Sequence, residues 1–157
     1  MNKIILISLV ILFAICSRSW AEDKLIANCE GVYGHAYYHY HGIVLKDKSG
    51  WVKEAISEGK FSLKKFETDK LDLLFIDASQ SIKSTIQSGA SIFPVIRTDT
   101  SMTVLVIYPS VVETYSFWQN KDGEYKFAVS QSKTGDNIIA RKNSLMVGSC
   151  SYINFNF

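Results

Sequence analysis

The chain has 157 residues, of which 17 are Lys or Arg and 15 are Asp or Glu, giving a formal net charge of +2. Two of the basic residues, Lys3 and Arg18, fall in a predicted signal peptide, so the remainder of the chain is formally neutral. Because it has neither excess positive charge nor a basic stripe with interleaved aromatic residues, nucleic acid is excluded as an expected partner.

Residues 1–21 have the layout of a secretory signal peptide. Lys3 is followed by a predominantly apolar run, Ile4–Cys16, which is shorter than the roughly 20 residues of a membrane-spanning helix. Small residues at Ser19 and Ala21 predict cleavage after Ala21. We therefore expect an exported protein, periplasmic or secreted, that is not inserted in the membrane after cleavage.

Residues 22–157 have the length of one domain with a full hydrophobic core. Only two prolines occur, and no linker or internal repeat is detectable. Cys16 falls in the signal peptide, which leaves Cys29 and Cys150 as an even pair in an oxidising compartment. We predict a disulfide bond between them, closing a loop of roughly 120 residues and so constraining the unfolded state by about 4–5 kcal/mol.

The three histidines of the chain, His35, His39 and His41, lie in one short Tyr-rich segment. On a strand they share one face, and His-x-His is a usable spacing for Zn²⁺ or Cu²⁺. A straight strand separates residues 35 and 41 by about 20 Å, however, so one ion reaches all three only if the segment bends. A metal site is thus one hypothesis, and an aromatic surface ribbon is the alternative. No other cofactor is predicted.

The rest of the chain is predicted to be mainly strands. Val52–Ser57 has the composition of a short helical turn, whereas Leu71–Asp77 and Met102–Tyr108 are apolar on both faces, as in central, covered strands. Ser91–Thr98 contains Pro94, which predicts an edge strand or a bulge. Helix content is therefore small.

A β-hairpin is predicted from Val111 to Val129, with Asp122-Gly123 in its turn. The last predicted strand, Leu145–Ile153, carries Cys150. We accordingly predict an all-β fold of roughly eight antiparallel strands, either a β-sandwich or a small closed β-barrel.

The C-terminal residues allow two interpretations. Ile153, Phe155 and Phe157 alternate up to a terminal Phe, as in the last strand of an outer-membrane β-barrel. The alternative is a tail whose aromatic side chains pack on the domain.

Residues 22–157 resemble a group of small exported bacterial proteins of unassigned function. The similarity lies in apolar strand motifs and the cysteine pair: Cys29–Tyr33, Leu71–Ala78, Val104–Pro109, Glu113–Phe117 and Cys150. It implies a shared fold and export, and no catalytic residue.

No Gly-x-Ser-x-Gly elbow, phosphate-binding glycine loop or His-Glu-x-x-His motif is present. We therefore expect a binding or interaction module, with a protein or small-molecule ligand, rather than an enzyme. Exposed Tyr and Trp side chains are common in contact surfaces, and the candidates here are Tyr37, Tyr38, Tyr40, Trp51 and Trp118.

Overall fold

The computed structural model describes residues 23–66, 70–76 and 79–157. The predicted signal peptide, residues 1–21, lies outside these residues, as does Asp77 at the end of one predicted strand. The described chain is nearly all β-structure. Its strands are β1 (Lys24–Tyr38), β2 (Gly50–Lys65), β3 (Leu71–Ile76), β4 (Ile82–Ser84), β5 (Ser91–Arg97), β6 (Ser101–Ile107), β7 (Val111–Gln119), β8 (Tyr125–Lys133) and β9 (Lys142–Ile153), with a 3₁₀ turn at Lys46–Lys48.

All nine strands belong to one antiparallel sheet, in the order β4-β3-β2-β1-β9-β8-β7-β6-β5. The two strands at the edges of this order, β4 and β5, are consecutive in the chain. The first and last strands are neighbours at its centre. None of the helices in the described part of the chain is long and apolar enough to cross a membrane.

The sheet must be strongly curled, because only residues 85–90 connect its two edge strands. A flat sheet of nine strands is roughly 38 Å wide, whereas that connection spans at most about 25 Å. Contacts between aromatic rings on distant strands agree with this strong curvature. Phe61 on β2 lies 6.0 Å from Tyr115 on β7, measured between ring centroids, although three strands separate β2 from β7 in the sheet.

The hydrophobic core fills the inner face of this curled sheet. On β6, β7 and β8 burial alternates along the strand, as expected when one face is covered. Side chains from both arms of the sheet meet there, and the largest fully buried ones are Phe117, Phe127, Ile26, Leu63, Leu73 and Met102. In the following text, the inner face is the one that carries these residues and the outer face is the opposite one.

The predicted disulfide bond between Cys29 and Cys150 is confirmed. The two cysteines are direct cross-strand partners on β1 and β9, and Cys29 is fully buried. The bond therefore joins the first strand to the last, as expected from the sequence.

The predicted hairpin is also confirmed. β7 and β8 pair over their whole length around residues 120–124. The Asn120 side-chain oxygen accepts bonds from the backbone N–H groups of Asp122 and Glu124, and Gly123 has a φ of 82°, in the left-handed region that favours glycine. Local turn chemistry explains this connection, which is why it was predictable.

Ser91–Arg97 forms an edge strand, as Pro94 predicts, and its pairing with β6 shifts register between Pro94 and Ile96. The short helical turn expected at Val52–Ser57 is wrong, because this segment is part of β2, where pairing with β1 overrides a weak local helix preference.

The strands expected at Leu71–Asp77 and Met102–Tyr108 are present as Leu71–Ile76 and Ser101–Ile107, each with a neighbour on both sides. They lie second from an edge rather than at the centre of the sheet, and β6 is covered on one face only.

The C-terminal tail packs its apolar residues against the domain. Ile153 and Phe155 are buried, and Phe157 is packed against the core. The Arg97 guanidinium lies 5.1 Å from the centroid of the Phe157 ring. The backbone N–H of Asn154 donates to the Ile26 carbonyl at 2.7 Å, so the tail extends the contacts of β9 with β1.

Candidate functional site

Between the two arms of the curled sheet lies a cavity of about 220 Å³. One wall comes from β2, β3, β4 and the turn after β4, and the other comes from the end of β6 and from β7, β8 and β9. Its lining residues are Ile56, Phe61, Leu73, Phe75, Lys83, Ser84, Thr85, Ser88, Tyr108, Glu113, Tyr115, Val129, Gln131 and Met146. The cavity therefore has both an apolar part and a polar part.

Aromatic rings dominate the apolar part. The ring centroids of Phe61 and Phe75 are 4.9 Å apart, and Phe61 also lies 6.0 Å from Tyr115. Ile56, Leu73, Val129 and Met146 complete this part. Such a surface suits a compact apolar or aromatic body.

The polar part centres on Glu113, which is buried. Its Oε2 accepts a 2.8 Å hydrogen bond from the Tyr115 hydroxyl, and its Oε1 accepts one of 2.6 Å from the Gln131 amide. Burial, then the negative charge of Glu113 and its hydrogen bond, raise the pKa of Tyr115 well above its ordinary value. Tyr115 therefore stays protonated and keeps donating to the carboxylate.

Tyr108 stands at the end of β6 and also lines the cavity. Burial raises its pKa to about 12, with further contributions from the charges of Glu113 and Asp72. Its hydroxyl is therefore protonated at neutral pH and lies within the electric field of two carboxylates.

A buried carboxylate holds the turn that forms part of the cavity wall. Asp72 accepts hydrogen bonds from the Ser84 hydroxyl at 2.6 Å, the Thr85 hydroxyl at 2.7 Å and the Ile86 backbone N–H at 3.2 Å. Three donors on one buried carboxylate fix the segment that leads from β4 towards β5. The wall is thus set in place by Asp72.

A second charged network lies further along the inner face. Glu54 accepts hydrogen bonds from the Tyr38 hydroxyl and from the Lys142 ammonium at 2.9 Å. Burial acts to raise the pKa of Glu54, but its hydrogen bonds to Tyr38 and Lys142 and the charge of Lys142 outweigh this, so its pKa is lowered. The hydrogen bond to Glu54, with some burial, raises the pKa of Tyr38 to about 12.

Ser144 lies on β9 between these two networks. It is buried, and its hydroxyl has no hydrogen-bond partner among the residues that the structure describes. Its cross-strand neighbours are Gln131 on β8 and Ala36 on β1. The row Glu113–Gln131–Ser144 thus carries polar side chains across three adjacent strands of the inner face.

The structure places the three predicted metal ligands in different settings. His35 is on the outer face of β1, opposite Lys53 and Leu145, and is exposed. His39 lies beyond the end of β1, with its Nε2 2.9 Å from the amide nitrogen of Asn143. His41 follows in the next turn, where its carbonyl accepts from the Val44 N–H.

Within the described ranges, no group of three or more His, Cys, Asp or Glu side chains could hold a metal ion. The zinc or copper site at His35, His39 and His41 stays a prediction.

The predicted aromatic surface is split between two faces. Tyr37 and Trp51 are exposed, with ring centroids 5.5 Å apart, and Tyr40 is exposed beyond them. Tyr38 points to the inner face, where it meets Glu54. Trp118 is half-buried on β7 beside a separate shallow depression that Tyr33 also lines. The structure therefore brings together Tyr37 and Trp51, and it separates Tyr38 and Trp118 from them.

Sequence reasoning did not single out the residues of the cavity. Glu113 carried the one available signal, because it alternates in phase with Tyr115 and Phe117 on β7, so that a charged residue occupies an inward position. Asp72 and Tyr108 had no comparable signal, since their roles depend on contacts between distant parts of the chain.

The chain matches no protein-family model, no curated protein and no solved structure.

Proposed function

We propose that this protein is an exported binding protein whose inner cavity takes a small molecule with an apolar body and one polar group. The observation that carries this proposal is the pairing, in one cavity, of an aromatic wall with the buried Glu113–Tyr115–Gln131 cluster. Ligand sites are typically apolar clefts with a few placed polar groups. The scaffold would be a barrel left open between β4 and β5, with the ligand held between its two arms.

The cavity volume limits the size of the ligand. Roughly 150 Å³ is enough to hold benzene in an apolar protein cavity, and the cavity here measures about 220 Å³. Drug-sized ligands occupy roughly 300–1,000 Å³. We therefore expect a ligand of about ten non-hydrogen atoms, such as a single ring with a short polar side chain.

Export is the second part of the proposal, and it is supported by the sequence of residues 1–21 and by the disulfide bond, which is typical of an oxidising compartment. Mass spectrometry of protein recovered from the periplasm or the medium should find Glu22 at the N-terminus. Recovery of uncleaved chain in the membrane fraction would contradict it.

Binding is tested with four small benzene derivatives that share the ring and differ in polar group: ethylbenzene, 2-phenylethanol, 2-phenylethylamine and phenylacetate. Titration of the purified protein, followed by the methyl NMR signals of Val129 and Met146, should show saturable binding of at least one. These two side chains line the cavity, so their signals report its occupation.

Val129→Phe should abolish binding, because Val129 is buried in the cavity wall and the larger ring fills the space. The matched control is Ser130→Phe, which adds the same ring to the next residue of β8 at an exposed position and should leave binding unchanged. If none of the four compounds binds, or if Val129→Phe folds and binds normally, the proposed function is wrong.

A further inference from the structure

The hydrogen bonds and burial of Glu113 narrow the chemistry of the ligand, given the proposed function. Each of its carboxylate oxygens accepts one hydrogen bond from the protein, whereas an ionised carboxylate offers about four acceptor positions in total. Room for further donors therefore remains on a side chain that is only 8% exposed.

Glu113 also lacks a cationic partner within the part of the chain that is described. Ion pairs seen there include Lys126–Glu124, Arg141–Asp136 and Lys142–Glu54, and none of them involves Glu113. Lys83 lines the cavity but is exposed to solvent. A buried carboxylate without a countercharge is costly, and a cation bound beside it would reduce that cost.

Tyr108 lines the cavity together with Glu113. Burial and the negative charges of Glu113 and Asp72 raise its pKa, so its hydroxyl is protonated at neutral pH. The phenolic oxygen of Tyr108 can accept a hydrogen bond from a cationic donor.

We propose that the ligand is a small monoamine, bound as the ammonium ion, with its charged nitrogen against Glu113 and its apolar body among Phe61, Phe75 and Met146. Hydrogen bonds from the ammonium group would use the free acceptor positions of Glu113 and the hydroxyl of Tyr108. An anionic ligand would instead place a second negative charge beside Glu113, and a neutral one would leave Glu113 without a countercharge.

The matched compounds test this amine preference separately from binding itself. At pH 7, 2-phenylethylamine should bind at least about tenfold more tightly than 2-phenylethanol, because a hydrogen bond to a charged group contributes roughly 1.5–3 kcal/mol. Phenylacetate should bind more weakly than either. Calorimetric titration of the purified protein gives the three affinities.

Glu113→Gln keeps the size of the side chain and removes its charge. We expect it to lower the affinity for 2-phenylethylamine by about tenfold or more and to leave that for 2-phenylethanol unchanged. The control is Glu124→Gln, which makes the same change of charge at an exposed residue of the hairpin turn and should leave both affinities unchanged.

The outcomes separate the two proposals. If 2-phenylethanol or phenylacetate binds as tightly as the amine, the amine inference is wrong while the binding function stands. If no compound binds, the proposed function itself fails. Because the comparison of ligands uses the unmodified protein, it decides the question even if Glu113→Gln does not fold.

Discussion

The inner face of the sheet changes from apolar to polar along the same three strands. One cross-strand row on β7, β8 and β9 consists of Phe117, Phe127 and Gly148. A second row lies four residues further along each strand, roughly 13 Å away. It consists of Glu113, Gln131 and Ser144. We refer to these as the apolar row and the polar row.

The two rows differ in packing as well as in polarity. A Cβ atom added to Gly148 would lie 2.4 Å from the Phe127 ring and 2.7 Å from the Glu30 carbonyl oxygen, so the apolar row has no spare volume. The polar row contributes two of its three residues to the cavity wall. The apolar row is therefore packed as part of the core, whereas the polar row lies at the cavity to which we assign the proposed binding function.

The largest expected effect concerns the apolar part of the molecule. Replacing both cysteines, Cys29→Ala with Cys150→Ala, should lower the free energy of unfolding by about 4 kcal/mol, because the bond closes a loop of more than a hundred residues in the unfolded chain. Urea unfolding at constant pH measures this loss. Ligand affinity of the variant, measured under conditions where it is folded, should change less than about twofold, since neither cysteine lines the cavity.

A loss below about 1 kcal/mol would show that the disulfide bond does not govern stability. A loss of affinity in the folded variant would show that the scaffold and the binding site are not separable.

Gly148→Ala tests the packing of the apolar row. The added methyl group meets the fully buried Phe127 ring and the Glu30 carbonyl oxygen, so at least one of them must shift. We expect a loss of about 2 kcal/mol, typical of an overpacked core, measured by urea unfolding. An unchanged midpoint would show that β9 and β1 separate easily at this point, contrary to the tight packing described above.

The sequence predicted the features that depend on local chemistry or on one rare residue type. The hairpin follows from its turn residues, the edge position of β5 follows from Pro94, and the disulfide bond follows from the two cysteines outside the predicted signal peptide. The all-β class follows from the alternation of apolar residues. These signals are all contained in short segments or in simple counts.

The cavity was not predictable in the same way. It forms because β2 and β7 face each other across a curled sheet. The sequence of neither strand alone indicates that the two strands meet. The helix expected at Val52–Ser57 failed for the same reason, since pairing with β1 determines its conformation. His35, His39 and His41 are conspicuous in the sequence because they lie in one short segment. Glu113 differs from the other glutamates that the structure describes by being buried, which becomes clear only in the folded sheet.

Tyr38→Phe examines the charged network beyond the polar row. The hydroxyl donates to Glu54, and its removal should cost about 1 kcal/mol at neutral pH. The folded-state pKa of Tyr38 is about 12, above the value near 10 of an unfolded chain, so this contribution is present below pH 10 and is lost as the pH rises towards 12.

The difference in unfolding free energy between Tyr38→Phe and the unmodified protein should therefore shrink over the interval from pH 10 to 12, as followed by urea titration. Lys142 pairs with Glu54 in both proteins, so its own titration largely cancels in the comparison. A difference that is constant up to pH 12 would contradict the hydrogen bond to Glu54.

The smallest expected effect has the opposite sign. Ser144→Ala places alanine on β9 four residues from Gly148, on the same inner face, so the two variants form a matched pair. The Ser144 hydroxyl is buried and has no hydrogen-bond partner in the described part of the chain, and a buried hydroxyl that makes no hydrogen bond is unfavourable. Its removal should leave stability unchanged or raise it by up to about 1 kcal/mol. If Ser144→Ala instead destabilises the protein as much as Gly148→Ala does, the polar row is as important for folding as the apolar row, and the division between them fails.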